Sequence, residues 1–165
     1  MSLSPSLLHR EADFALATFG DIFMTIWRDK TTMEGVRASR SAVEAFSAGR
    51  RREIGMLTIV EPGAPIPARA ERTALADYLR AVSDSIKVSA LVYEGEGFHA
   101  AAVRSLVTGL TLIARQDYPH RVFDSVDKAA VFMAPLLVQR DDSTPLAQEI
   151  IDAVAQLRRA VNQPT

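Results

Sequence analysis

Two short apolar runs near the start of the chain predict a β-hairpin. They span Asp13–Phe19 and Ile22–Trp27 and together are rich in Phe, Ile, Thr and Trp, which favour strands. The dipeptide Gly20-Asp21 separates them, and a glycine-containing pair between two such runs is a turn signal. Residues 1–12 show no comparable pattern, and we predict that they form a loose leader.

Beyond the hairpin, the chain alternates between continuous apolar runs and apolar residues at helical spacing. Continuous runs predict strands that are covered on both faces, as in parallel sheets. The three predicted strands are Glu53–Val60, Ile86–Tyr93 and His120–Phe123. Helical spacing predicts helices that begin near Thr31, Ala68, Phe98, Ser125 and Thr144.

This succession of elements predicts an α/β fold in two or three layers. The order is β-β-α-β-α-β-α-β-α-α, and helices that alternate with apolar strands imply right-handed crossovers. We therefore expect a mixed, mostly parallel sheet that is opened by an antiparallel hairpin.

A chain of 165 residues has the length of one domain. We place this domain at residues 13–140 and assign residues 141–165 to a C-terminal amphipathic helix. The apolar stripe of such a helix packs on its own domain by default, or it pairs with a second copy in a homodimer.

Composition and charge exclude several classes of function. The chain has no cysteine, which excludes disulfides, thiol catalysis and cysteine-based zinc sites. Its formal net charge is −1, so no overall field favours nucleic acid, and the basic run Arg50–Arg52 is interpreted as a solvated helix end. Neither a signal-peptide pattern nor a run of about 18 apolar residues is present. We expect a cytoplasmic protein with no membrane span.

Two loops that follow predicted parallel strands are candidates for a functional site. In open α/β sheets, ligands bind outside the carboxyl ends of the strands. The loops are Glu61–Pro67 and the turn Glu94-Gly95-Glu96-Gly97. Free N–H groups at the start of the helix after this turn could bind a phosphate. However, the carboxylates of Glu94 and Glu96 would repel an anion there, and the sequence contains no complete nucleotide-binding motif. The candidate partner- or ligand-binding residues are Glu61, Glu94, Gly95, Glu96, Gly97 and His99.

His99 lies on the apolar side of the predicted third helix, in its first turn. A helix N-terminus disfavours a charged imidazole, so we interpret His99 as a neutral core residue; the alternative is an acid/base group beside Glu96. The spacing of Glu94, Glu96 and His99 matches no common zinc pattern, and no nucleophile motif is present. We expect no metal, no cofactor and no catalytic residues.

The segment Val88-Ser-Ala-Leu-Val-Tyr-Glu-Gly-Glu-Gly-Phe98 enters a helix and resembles the STAS domain family. This is the family of anti-sigma-factor antagonists and sulfate-transporter tails, and related Sec14-like sheets bind lipids or other partners. The resemblance extends through element order over about residues 13–137. It implies a STAS-like fold.

In signalling STAS domains this strand ends in Asp-Ser-Ser/Thr-Gly, and the residue before the glycine is phosphorylated. The matching positions here are 94–97, where the final glycine is kept and Glu96 replaces the phosphorylated residue. A carboxylate imitates phosphate only in part, because phosphate brings roughly −1.5 to −2 charge. The resemblance implies a scaffold that has lost the switch.

Two functional hypotheses result from these observations. The first is a non-catalytic regulatory module that binds a protein partner through the turn Glu94–Gly97. The alternative is a small-molecule or lipid-binding protein, with or without an enzymatic step, that uses a pocket between the two loops with His99 at its wall.

Overall fold

A mixed sheet and two layers of helices form the protein. The computed structural model describes residues 4–114, 117–137 and 146–164. The strands are β1 (Ser6–Arg10), β2 (Phe14–Phe19), β3 (Ile22–Trp27), β4 (Ile54–Val60), β5 (Ile86–Tyr93) and β6 (His120–Phe123). The helices are α1 (Met33–Ala48), α2 (Arg69–Val82), α3 (Gly97–Ala114), α4 (Val126–Met133) and α5 (Leu146–Asn162).

The strands lie side by side in the order of the sequence, from β1 to β6. The first three pair antiparallel, whereas β3 to β6 pair in parallel. The predicted α/β fold, with a mixed sheet opened by an antiparallel hairpin, is therefore confirmed. Gly20 makes the hairpin turn with a φ of 58°. Because the order of the described strands never reverses, they form no topological switch point of the kind at which ligands usually bind.

The strand β1 lies in the segment for which the sequence predicts a loose leader. It pairs with β2 at the edge of the sheet, with a register shift between Leu7 and His9. The prediction missed it because its apolar residues Leu7 and Leu8 are adjacent and do not alternate with polar ones. The His9 ring stacks on Phe14 of β2 at 5.1 Å between centroids. The observed order therefore opens with three strands instead of two.

The helices divide between the two faces of the sheet, so the fold has three layers. Each parallel crossover places its helix on the same face, which carries α1, α2 and α3. On the opposite face, α4 and α5 pack on the alternate residues of the same strands. This alternation, with period two, explains why the parallel strands are apolar throughout.

The helix α5 packs on its own domain. Its inward residues Ile150, Ala153, Val154, Leu157 and Val161 are at most 2% exposed. Arg28, which follows β3, donates to the Val161 carbonyl at 3.1 Å and to the Asn162 side-chain oxygen at 2.8 Å. The helix start predicted at Thr144 lies outside the described residues.

Helix caps follow the sequence signals closely. The cap of α1 is Thr32, one residue later than predicted, and its hydroxyl accepts from the Gly35 N–H at 3.1 Å. Ser125 caps α4 as predicted. That helix ends at Met133, two residues before Pro135, as expected for a proline that cannot continue an α-helix.

Candidate functional site

The turn between β5 and α3 contains four of the six predicted site residues. Gly97 has a φ of 82°, a left-handed conformation that favours glycine. A Cβ atom on Gly95 would lie 2.5 Å from the ring of Tyr93, which is buried. Backbone conformation and close packing therefore account for both glycines without a bound phosphate.

The two carboxylates of this turn have different surroundings. Glu94 forms an ion pair with Arg158 and so ties the turn to α5. Glu96 is exposed to solvent, and Phe98 close by is 92% exposed. An open polar depression beside the turn is completed by Arg104, Asp124, Ser125 and Lys128. The depression is open to solvent and does not enclose a space.

His99 holds the two predicted loops together. Its Nε2 atom lies 3.0 Å from the backbone carbonyl oxygen of Ala64, in the loop after β4. Because a carbonyl can only accept, Nε2 carries the proton and donates. The His99 ring also lies 5.9 Å from the Tyr93 ring. His99 is thus partly buried between the loop and the sheet, where it fixes the position of the loop.

Glu61 begins this loop and does not meet the other two predicted carboxylates. Its Oε1 atom lies 3.8 Å from Nε of Arg28, and its N–H donates to the Trp27 carbonyl at 2.9 Å. Its own carbonyl accepts from the Ala64 N–H at 3.3 Å. Glu61 and Glu94 therefore pair with different arginines, and the predicted site residues do not form one acidic cluster.

A cavity of about 110 Å³ lies between the sheet and the layer formed by α1, α2 and α3. We call it the central cavity. Its helical walls are largely apolar and include Leu75 and Leu79 of α2 and Val107 of α3. The segment Ala64–Pro67 covers it at the carboxyl ends of the strands. Among the described residues, none that lines it is Asp, Glu, Lys or Arg.

The floor of the central cavity contains two cross-strand pairs of polar side chains. Thr25 of β3 is opposite Thr58 of β4, and Ser89 of β5 is opposite His120 of β6. All four line the cavity. The Nδ1 atom of His120 lies 2.9 Å from the Ser89 hydroxyl oxygen. The floor therefore places hydroxyl and imidazole groups where the sheet is otherwise apolar.

Three polar atoms on cavity-lining residues have no hydrogen-bond partner among the described residues. They are Ser39 Oγ, Tyr78 Oη and His120 Nε2. Ser39 is completely buried and Tyr78 is 4% exposed. A buried helical serine commonly bonds to the carbonyl one turn earlier, which Ser39 does not do. Buried polar groups without partners are rare in proteins, so each one requires an explanation.

Burial keeps the two titratable groups of the cavity uncharged at neutral pH. It lowers the pKa of His120 to about 4, because the charged imidazolium is poorly solvated there. It raises the pKa of Tyr78 well above the ordinary value for a phenol, and the nearby Tyr118 adds to this shift. At pH 7 the cavity therefore presents a neutral imidazole and an intact phenolic O–H.

None of the six predicted site residues lines the central cavity, although the loop that begins at Glu61 covers it. A weak signal for the cavity was present in the sequence. Three of the four parallel strands, β3 to β5, each carry one small hydroxyl residue inside an apolar run, namely Thr25, Thr58 and Ser89. Only the strand register shows that all three lie on one face.

Comparisons of this chain with protein-family models, with curated proteins and with solved structures give no match. Across the described ranges, no helix combines the length and the apolar composition that a membrane crossing requires. In the same part of the chain, no three His, Asp or Glu side chains are grouped closely enough to hold a metal ion.

Proposed function

We propose that the protein binds a small molecule in the central cavity, and that this role involves no catalytic step. The observation that carries the proposal is the central cavity itself, a largely apolar space of about 110 Å³ whose lining includes the polar residues Ser39, Tyr78 and His120. Each of these three residues carries a buried polar atom without a partner among the described residues, and such a group costs about 1–3 kcal/mol of stability.

The character of the walls supports the same proposal. Ligand sites are mostly apolar and contain a few polar groups that orient the ligand. The central cavity has this composition, with leucine and valine side chains on α2 and α3 and polar groups on the sheet. Its cover, Ala64–Pro67, is an irregular segment between β4 and α2, and the hydrogen bond from His99 to Ala64 holds it over the cavity.

Native mass spectrometry of the purified protein tests the proposal. We expect a bound small molecule in the wild type and in Leu112→Phe, but none in Val107→Phe. Val107 lines the cavity, so a phenylalanine there fills it, whereas Leu112 lies on the same helix and is 74% exposed. Circular dichroism must show that both variants fold, because overpacking can cost roughly 1–3 kcal/mol.

A fully occupied Val107→Phe variant would contradict the proposal. So would a wild type that carries no ligand and takes up none from a library of small molecules. In that case the cavity is empty or holds only water.

A second candidate function is a STAS-like regulatory module that binds a protein at the turn Glu94–Gly97. The observation in its favour is the exposed pair Glu96 and Phe98 beside an open polar depression. Affinity capture from cell lysate with Glu96→Arg is expected to lose a partner that wild type retains. Asp84→Arg is the control. It makes the same change of charge, but Asp84 lies just before β5, at the opposite end of the strand from the turn Glu94–Gly97. Equal capture by all three proteins would count against this function.

A further inference from the structure

We infer that the ligand of the central cavity is an uncharged, hydrocarbon-like molecule of about the size of one aromatic ring, and that it lies over Thr58 on the cavity floor. This inference rests on the proposed binding function and names the chemical class of its ligand. Three observations carry it, which are the volume of the cavity, the absence of charge among its described lining residues and the apolar character of the part that a ligand can reach.

The volume of the central cavity limits its ligand to about one ring. The cavity measures about 110 Å³. An engineered apolar protein cavity of about 150 Å³ binds benzene, so a molecule of that order of size fits here. The volume therefore selects small single-ring molecules over the long acyl chain of a lipid.

Among the described residues that line the cavity, none carries a charge at pH 7. Asp, Glu, Lys and Arg are absent from this set, and burial lowers the pKa of His120 to about 4. A carboxylate or an ammonium group would therefore lose its hydration in the cavity without gaining a counter-ion. Such burial is strongly unfavourable, which excludes a charged ligand.

Most polar groups of the lining are beyond the reach of a ligand. Ser39 Oγ, Tyr78 Oη and His120 Nε2 have almost no accessible surface. The other ring nitrogen of His120, Nδ1, is already hydrogen-bonded to the Ser89 hydroxyl at 2.9 Å. Thr25 and Ser89 are buried as well. These groups shape the wall but do not offer a hydrogen bond to a ligand.

Thr58 is the hydroxyl residue of the floor that remains accessible. It lies on β4, between β3 and β5, on the face that α1, α2 and α3 cover. It is nevertheless only half-buried, and so is its cross-strand neighbour Leu91 of β5. A residue on a central strand under a layer of helices does not reach the outer surface, so we attribute this exposure to the cavity. A ligand that enters therefore rests on Thr58 and Leu91, with Leu75 and Leu79 of α2 among its apolar walls.

Calorimetric titration of the full chain at pH 7 with benzene, phenol and benzoate tests the chemical class of the ligand. We expect benzene to bind at least about fivefold more tightly than phenol, because burial of a hydroxyl without a hydrogen bond is unfavourable. We expect no binding of benzoate, because its carboxylate is charged at this pH.

Thr58→Val tests the position of the ligand on the floor. Valine has nearly the shape of threonine but no hydroxyl, and a hydrocarbon over Thr58 removes water from that hydroxyl without replacing its hydrogen bond. We therefore expect Thr58→Val to bind benzene at least about threefold more tightly than wild type does. Thr18→Val is the matched control, and we expect it to leave the affinity unchanged. Thr18 is also a half-buried strand residue, but it lies on β2, outside the cavity lining.

The outcomes separate this inference from the proposed function. Phenol binding as tight as benzene binding, or any binding of benzoate, would overturn the inference and leave small-molecule binding intact. Weaker binding of benzene by Thr58→Val, or equal changes in Thr58→Val and Thr18→Val, would overturn the placement over Thr58. If benzene does not bind, the inference fails, and the proposed function fails with it only if no ligand co-purifies either. Circular dichroism must show that both variants fold, which we expect because valine favours strands.

Discussion

At the residue scale, His120 makes the stability of the protein depend on pH. Its pKa falls from 6.5 to about 4 in the folded protein because the imidazole is buried. Between these two pH values the unfolded chain binds a proton that the folded one does not. The contribution of His120 to the free energy of unfolding is therefore complete above pH 6.5 and is lost as the pH falls towards 4. A shift of this size corresponds to about 3 kcal/mol.

Urea unfolding between pH 8 and pH 4 measures this contribution in wild type and in His120→Asn. An asparagine cannot titrate, and its amide can still bond to Ser89. We expect the difference in free energy of unfolding between the two proteins to shrink from pH 7 to pH 4. Surface carboxylates such as Asp124 are present in both proteins, so their effects on the pH dependence cancel in this difference. Parallel pH profiles would show that His120 is not the responsible group.

The two histidines His99 and His120 show how far the sequence alone can locate the cavity. The sequence draws attention to His99, because it follows a glycine-containing turn and lies on an apolar helical stripe. In the structure it donates to Ala64 and holds the loop, whereas His120 lines the central cavity. His120 gave no periodic signal, because it is the first residue of a strand of only four residues.

At the scale of elements, α5 is attached to the sheet through its last turn. Arg28 donates to the Val161 carbonyl and to the Asn162 side chain, and Arg10 donates to the Gln163 carbonyl. These carbonyls lie at the negative end of the helix dipole, where cations are favourable. We expect Arg28→Ala to lower the free energy of unfolding by about 1–3 kcal/mol.

Amide hydrogen exchange locates this effect. The amides of the last turn of α5 should lose protection first in Arg28→Ala, since their helix end is no longer capped. Arg40→Ala is the matched control, because it removes only an exposed pair with Glu44 on α1. Such pairs are worth about 0.3–0.5 kcal/mol. If Arg28→Ala and Arg40→Ala lose equal amounts of unfolding free energy and of amide protection in α5, Arg28 has no special role.

Elements with strong local signals were predicted well. The hairpin β2–β3 has apolar runs on both sides of a Gly-Asp turn, and α4 has a serine cap and a terminating proline. The strand β1 has no such signal, because its pairing with β2 depends on backbone groups that every residue carries. Local patterns cannot show that kind of pairing.

At the scale of the whole molecule, β1 protects the edge of the sheet. Without residues 1–11, β2 becomes the edge strand, and its backbone groups that pair with β1 become free. Its residues Phe14 to Ala17 are at most 1% exposed in the intact protein. We expect the truncated protein to self-associate at concentrations at which the full chain does not, as measured by light scattering after size exclusion.

Removal of residues 1–4 is the control for this truncation, because it leaves β1 complete. We expect the shorter truncation to behave as the full chain does. If removal of residues 1–11 changes neither the mass in solution nor the melting temperature, the segment acts as the loose leader that the sequence suggests.

The central cavity could not be predicted from the sequence, because it is a property of the whole molecule. It depends on how completely the side chains of α1, α2 and α3 fill the space above the sheet. Leu75 and Val107 are ordinary core residues in their own helices. Only their joint packing over Thr58 and Ser89 leaves the space open.

The position of Trp27 gives the protein a built-in optical reporter. Trp27 is the only tryptophan in the chain, it is 6% exposed, and it lines the central cavity. A Cβ atom on Gly35 would lie 2.6 Å from its indole ring, so the ring is held close against α1. Indole emission depends on the polarity of its surroundings, and no second tryptophan contributes a background. A ligand that enters the cavity beside the indole is therefore expected to change the emission wavelength, so occupancy can be followed in real time on the unlabelled native chain.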